Sequence, residues 1–310
     1  MLAPPDARLL RSSDARRTGE ESGLSRSARS GELTRVRRGV FLDSDVWASL
    51  DREHQHFLLV LAAATAAKVS PVFSHESAAV LAGFPIVDGL PDRVQVTVPP
   101  GSGLRSNRVV VRHEAVLDPA DVIHLESASV NVTTIGRTLV DYAAGRSFLS
   151  GVCAVEYVLH HGMLTREELL EQLDRRRPMR GSRKAESAIR FASSESGSPN
   201  ETLCRVRFDQ LGFPQPQQQR EYRGSSNQRY FVDFHWPEFD VICESDGRVK
   251  YQDPKFLAGR TPERALWDEK VREDELRSQC RAFVRLTWDD AWNRAGLVAK
   301  LARAGIPRHR

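Results

Sequence analysis

The sequence predicts a multidomain chain that mixes α/β and α+β architecture. Three observations carry that expectation. The chain has 310 residues, more than one ordinary domain needs. Strand-period and helix-period apolar patterns follow one another along it, and 40% hydrophobic residues suffice to build cores. A stretch from Arg175 to Ser198, RRRPMRGSRKAESAIRFASSESGS, shifts from basic to Ser/Gly-rich and divides two such runs. The expected division is 1–43, 44–180, a linker over 181–198 with one short helix, and 199–310.

Residues 1–43 read as a small helical unit ending in a hairpin. Short helices are expected over Ala7 to Gly19 and Ser22 to Ser30, with Gly31 as the stop. GELTRVRRGVFL follows, with Leu33, Val36, Val40 and Phe41 interleaved among Thr34, Arg35, Arg37, Arg38 and Gly39. That pattern fits two strands around a basic turn. Helix, helix and basic β-wing is the layout of a winged helix-turn-helix, a DNA-binding unit. Arg26 and Arg29 on the second helix, with Arg35, Arg37 and Arg38 on the wing, are donors suited to phosphates and base edges. The same residues also suit a solvated arginine-rich helix and an ordinary hairpin.

Residues 44–180 read as helices and strands. FLLVLAAATAA, inside a helix from Arg52 to Lys68, is flanked by charge and reads as a buried helix. It falls short of the about 20 apolar residues that span a bilayer. Ser74 caps a helix closed by Gly83 and Pro85. RVQVTVPP and RVVVRHE alternate as strands. VNVTTIGRTLVDYA leads into a helix with Arg137 and Asp141 at i,i+4 spacing, and a helix pair follows over Val152–His161 and Thr165–Arg175. The neighbouring His160 and His161 lack an acidic or histidine partner at helical spacing, so a metal is not expected there.

Residues 199–310 read as α–β–β–β–α–β–α, helices packed on a mixed sheet. SPNETLCRVRFDQLGFP opens the unit as a helix. Strands are expected near Gln218–Tyr222, Tyr230–Phe234, Asp240–Cys243 and Ala282–Thr287, with a long helix from Thr261 to Gln279 and a last helix from Asp289.

The net charge is only +4 at a pI near 9.0, so the placement of the basic residues says more than their number. Cys153, Cys204, Cys243 and Cys280 form no CxxC pair and read as reduced thiols. The N-terminal stretch has no apolar signal core, so a cytoplasmic location is expected.

FVDFHWPEFDVICESDGRVKY carries the chemistry. Asp233, Glu244 and Asp246 lie in and just after apolar strand residues, with Lys250 close behind. Adjacent strands run about 4.8 Å apart, so acids at neighbouring strand ends can approach one cation. Oxygen ligands of this kind suit Mg²⁺ or Mn²⁺. Such an ion makes a bound water more acidic and offsets charge building on a phosphodiester. Lys250 could orient that water or neutralise the leaving group, and Glu201 could add a carboxylate from the preceding helix. Any one of these acids also fits a solvent edge, with Asp246–Gly247 as a plain turn. The set is different, because clustered carboxylates raise one another's pKa unless something positive intervenes. Glu269, Arg272, Asp274 and Arg277 are expected mainly to exchange salt bridges along a wet helix face.

From about Ser198 to Trp292 the chain resembles the PD-(D/E)XK nuclease superfamily. It looks most like the branch of unknown function related to the very-short-patch repair endonuclease. The matching pieces are the opening helix with Glu201, VDFHWPEFDVICESDG, WDEKVREDELRSQC and FVRLTWDD. The resemblance implies a restriction-endonuclease-like αβ core and Mg²⁺-dependent DNA cleavage. Asp233 and Glu244 would be metal ligands, Asp246 would sit beside them and Glu201 would be the helix acid. The superfamily places a lysine two residues after the second acid; Asp246 stands there, leaving Lys250 or Lys270 to supply the cation. The first two segments resemble AbiEi-type antitoxins of type IV toxin–antitoxin systems, through SGELTRVRRGVF, FSHESAAVLAGFP and VTTIGRTLVDYA. That likeness implies a DNA-binding autorepressor, with double-stranded DNA and a cognate toxin as partners. A homodimer would be common for such a protein.

Overall fold

The computed structural model describes residues 7–18, 21–67, 69–246 and 261–309. The chain divides into two compact units. One comprises residues 1–158 and 164–191, the other residues 159–163 and 192–310.

The first unit begins with β1 (Leu10–Arg11), α1 (Ser12–Thr18), α2 (Glu21–Ser30), β2 (Leu33–Arg37) and β3 (Val40–Asp43). The single helix expected over Ala7 to Gly19 is replaced at its start by β1, which pairs antiparallel with β3, Leu10 against Phe41. A strand of two residues has no period for sequence reading to detect. Gly31 closes α2 at φ 88°, and Gly39 makes the hairpin turn at φ 78°, conformations open to glycine at little cost. Asp43 caps α3 (Ser44–Ser49), and α4 (Arg52–Thr65) follows. The α4 segment is apolar on two faces. Leu58 and Ala62 join Val36, Val40 and Leu42 in one core, while Phe57, Val60 and Ala63 enter the core of the following sheet.

That sheet has the order β6-β5-β4-β8-β7, from β4 (Val72–Phe73), β5 (Val94–Val98), β6 (Val110–Glu114), β7 (Val122–Leu125) and β8 (Val130–Thr133). The helices are α5 (His75–Ala82), α6 (Ile135–Gly145), α7 (Phe148–His160), α8 (Arg166–Asp174) and α9 (Ser182–Phe191). The basic stretch after Arg175 carries α9, whose Ala185, Ala188 and Ile189 are fully buried.

The second unit runs α10 (Pro199–Gln210), β9 (Gln217–Arg223), β10 (Arg229–Trp236), β11 (Val241–Asp246), α11 (Pro262–Arg277), β12 (Ala282–Thr287), α12 (Trp288–Asn293) and α13 (Ala295–Arg303). The last helix of the sequence reading is two, broken at Arg294, which takes φ 63°. The sheet order is β12-β11-β10-β9. β9, β10 and β11 run antiparallel, whereas β11 and β12 are parallel. In β10, Tyr230, Val232, Phe234 and Trp236 alternate inward. Phe234 and Trp236 meet Phe208 of α10 edge to face, at 5.3 and 5.1 Å between ring centroids. Each fully buried phenylalanine there contributes about 1.5–3 kcal/mol. β11 lies between two strands, so residues on both its faces are buried through Ser245. That position, rather than a solvent edge, is where Glu244 stands.

Three of the cysteines, Cys153, Cys204 and Cys243, are buried, and none is in a disulfide among the described residues. Among the described residues no helix is long and apolar enough to cross a membrane.

A candidate carboxylate–arginine site and a basic hairpin

β10 and β11 pair Phe234 with Cys243. One step further along this register, Asp233 comes opposite Glu244. Asp233 Oδ2 accepts the Ser245 N–H at 2.7 Å, which fixes the carboxylate across the strand gap. Glu244 is 6% exposed, and Asp246 ends the strand at the surface. The three acids of the sequence reading therefore do gather at one end of the sheet.

The partners they meet were expected to stay on a wet helix face. Arg272 of α11 instead turns inward and forks onto Glu244, with Nη2 to Oε1 at 2.7 Å and Nη1 to Oε2 at 3.1 Å. It also donates to the Phe231 carbonyl at 3.0 Å and to Glu269 at 3.3 Å. Arg285 of β12 holds Glu269 at 2.7 Å and Glu273 at 2.8 Å, and its Nη1 lies 3.6 Å from Asp246. Arg277 pairs with Glu273 at the rim, in the i,i+4 manner expected. The correction for Arg272 and Glu269 has a physical reason. A carboxylate at the buried end of a central strand costs several kcal/mol unless it is paired, and α11 is the crossover between β11 and β12. Its inner face therefore overhangs that strand end.

Burial raises the Glu244 carboxyl above its ordinary pKa, Asp233 and Glu269 push the same way, and the Arg272 hydrogen bonds oppose them. For Arg285, burial acts to lower the guanidinium, but Glu273, Glu269 and Asp246 outweigh it and the net shift is upward. Asp233, Glu244, Asp246, Glu269 and Glu273 are five carboxylates; Arg272, Arg285 and Arg277 are three guanidinium groups. Among the described residues the cluster is thus two charges negative.

Among those residues no three His, Cys, Asp or Glu side chains form a cage for a metal. A hydrated Mg²⁺ does not need one, since it takes one or two carboxylates with substrate phosphate and keeps its waters. Asp233 Oδ1 meets no donor among the described residues, and Asp246 is only loosely held. Those two acids fit such an ion. Glu244 fits it only when Arg272 lets go.

Glu201 sits in the first turn of α10, where Ser198 is the N-cap and accepts the Glu201 N–H, and its carboxylate folds back over the helix start. It accepts from Gly197 N at 3.0 Å, Ser198 Oγ at 2.7 Å and Gln219 Nε2 at 3.3 Å. Its neighbour Asn200 is 8% exposed and donates through Nδ2 to the Asp246 carbonyl at 3.4 Å, while its buried Oδ1 has no partner among the described residues. Sequence reading missed Asn200, and its place directly before the helix acid was the only signal. Lys250 lies outside the described residues. Lys270 is exposed on α11, so the cation at Glu244 is Arg272.

In the first unit, Arg26 and Arg29 on α2 and Arg35 and Arg38 on the hairpin are exposed. Arg35 stands over the Phe41 ring at 6.0 Å. Arg37 differs from expectation. It is half-buried, and its Nη1 is sealed from solvent without a partner among the described residues. Burial, then Arg112, lowers its pKa, because the register shifts between Arg35 and Arg37 and turns the side chain inward.

The same unit holds a second buried charged network. Arg137, fully buried, donates to Asp141 at 2.6 Å and to Asp121 at 3.2 Å. Arg176 reaches Asp141 at 3.3 Å, and Gln172 reaches Asp121 at 3.0 Å. Here two guanidinium groups meet two carboxylates, although Arg137 Nη2 finds no acceptor among the described residues.

No protein-family model matches the chain, and no curated protein matches it. Among solved structures it is similar to the crystal structure of the RV2827C protein from Mycobacterium tuberculosis. The identity is 16% and the TM-score 0.35, over 63% of this chain and 74% of that one.

Proposed function

We propose that this protein binds double-stranded DNA through α2 and the β2–β3 hairpin, as a winged helix-turn-helix does. In this reading the second unit is a PD-(D/E)XK-type endonuclease core that hydrolyses the phosphodiester backbone with Mg²⁺ or Mn²⁺. One observation carries it: five carboxylates from β10, β11 and α11 gather at one sheet end against three guanidinium groups. Asp233 and Asp246 would hold the ion, with Glu244 joining them once freed. The ion would supply a more acidic water and charge to offset the phosphate. The chain's own residues do the rest. Ser245 N–H fixes Asp233, and Arg272 and Arg285 hold the surrounding acids apart.

A second reading has an observation of its own. Both Glu244 oxygens are taken by Arg272, which favours an AbiEi-type autorepressor whose nuclease-like unit is silent. Supercoiled plasmid incubated with the protein and Mg²⁺ or Mn²⁺ separates the two. Nicking by the wild type that is abolished in Asp233→Ala and Glu244→Ala supports the enzyme. DNA retention on a gel with intact plasmid under either metal leaves the repressor.

A further inference from the structure

We propose that Arg272 is a latch on Glu244 which a DNA phosphate draws away, so that DNA and a divalent cation promote each other's binding. The inference rests on the nuclease reading and assigns it a control.

Arg272 makes a two-pronged bond to Glu244, the most deeply buried acid of the cluster, at 2.7 and 3.1 Å. A forked guanidinium–carboxylate pair of this kind leaves neither oxygen a ready place for a cation. The same fork geometry fits a phosphate equally well. Arg272 itself is not sealed in: its side chain is 20% exposed, against 8% for Glu244. The arginine can therefore leave for a phosphate at the surface while the glutamate stays. Its other contacts are a backbone carbonyl at 3.0 Å and Glu269 at 3.3 Å, which a phosphate would have to replace. Glu269 does not become orphaned, because Arg285 holds it at 2.7 Å. Among the described residues, what Arg272 leaves behind is a strand end two negative charges in excess becoming three, where Asp233 Oδ1 meets no donor. Asn200 adds an independent sign that the place takes a ligand. Its amide is fastened at Asp246, and its buried Oδ1 has no partner among the described residues. An oxygen so placed suits a metal-bound water.

Coupling of this sort is reciprocal: whatever factor DNA adds to cation affinity, the cation adds to DNA affinity. Mn²⁺ binding, followed by the loss of its free paramagnetic signal, reads the latch without any cleavage. The proteins are the full-length wild type, Arg272→Met and Arg272→Lys. Each is checked for folding by circular dichroism, without DNA and with a short duplex whose integrity is verified afterwards. Arg272→Met is expected to bind Mn²⁺ about tenfold tighter than wild type without DNA. The duplex should close most of that gap in the wild type and change the variant little. Arg272→Lys, which keeps the charge but loses the fork, should fall between them; it carries the test if the methionine variant does not fold. Asp233→Asn, added to either variant, should remove the gain. Wild type binding Mn²⁺ as tightly as the variants without DNA overturns the latch and leaves the metal site standing. Folded variants that bind no Mn²⁺ overturn both.

Discussion

The two units each bury arginines against acids, and they do so to opposite effect. Around Arg137 two guanidinium groups meet two aspartates, charges cancel, and the network ties α6 to the β7 start and to α8. Around Arg272 and Arg285 acids outnumber cations, and the balance is struck two charges short among the described residues. Both networks are reached by the same route, in that an acid near a core must find a cation. Only the second leaves an appetite for another one. Charge balance, more than burial, distinguishes a brace from a site.

The first way to break that comparison is to remove the brace. Arg137→Met strands Asp141 and Asp121 in a buried pocket with one arginine between them. It should cost about 3–5 kcal/mol in urea unfolding, as loss of one partner from a buried pair does. A loss under about 1 kcal/mol, the range of exposed pairs, would make the network ornamental.

Arg272→Met should cost less, because burial already raises the Glu244 pKa and the carboxyl can take up a proton once its guanidinium partner is gone. The pH dependence follows from that raised pKa. The folded state binds the Glu244 proton more tightly than the unfolded chain does. The stabilisation is therefore full below the ordinary glutamate value and is lost as pH rises through the higher folded value. Glu244→Gln cannot titrate. Its stability relative to wild type should grow as pH rises from about 4 upward in metal-free buffer, with glutamate's ordinary value near 4.3 as the lower edge. A difference independent of pH would show that Glu244 is not the group responsible.

A smaller effect is expected at the exposed arginines of the first unit. Replacing Arg29, Arg35 and Arg38 together with alanine should lower affinity for any duplex. The salt dependence of binding should flatten by about one unit of slope for each phosphate no longer neutralised. Arg37→Ala, at a half-buried side chain, should alter stability more than the salt slope. The reverse pattern would move the DNA surface elsewhere.

Much of this was legible in the residues, and the reasons for the exceptions are local. Asp233, Glu244 and Asp246 could be placed from the sequence because each follows apolar residues at strand period, and strand ends in sequence become strand ends in space. The order of helices and strands in the second unit was legible for the same reason. Their partners were not. Arg272 lies 28 positions from Glu244, on a helix with charges on every side and so no period to say which face turns in. The demand was nonetheless visible, since a buried glutamate needs a cation, and an arginine meets that need as well as a lysine does. In the first unit β1, β4, β7 and β8 hold two to four residues each, too few to alternate detectably. The inward turn of Arg37 depends on a register shift in the hairpin, which a strand pattern does not encode.

Amide hydrogen exchange on the full-length protein with a short duplex, with and without saturating Mg²⁺, tests the contrast between the two networks most directly. Peptides covering the ends of β10 and β11, from Phe231 to Asp246, should slow their exchange when Mg²⁺ is added. Peptides through Arg137 and Asp141 should not change. Asp233→Asn should abolish the slowing. No change at the β10–β11 ends, or the same change in Asp233→Asn, would contradict the claim that the surplus acids of the second unit hold a divalent cation.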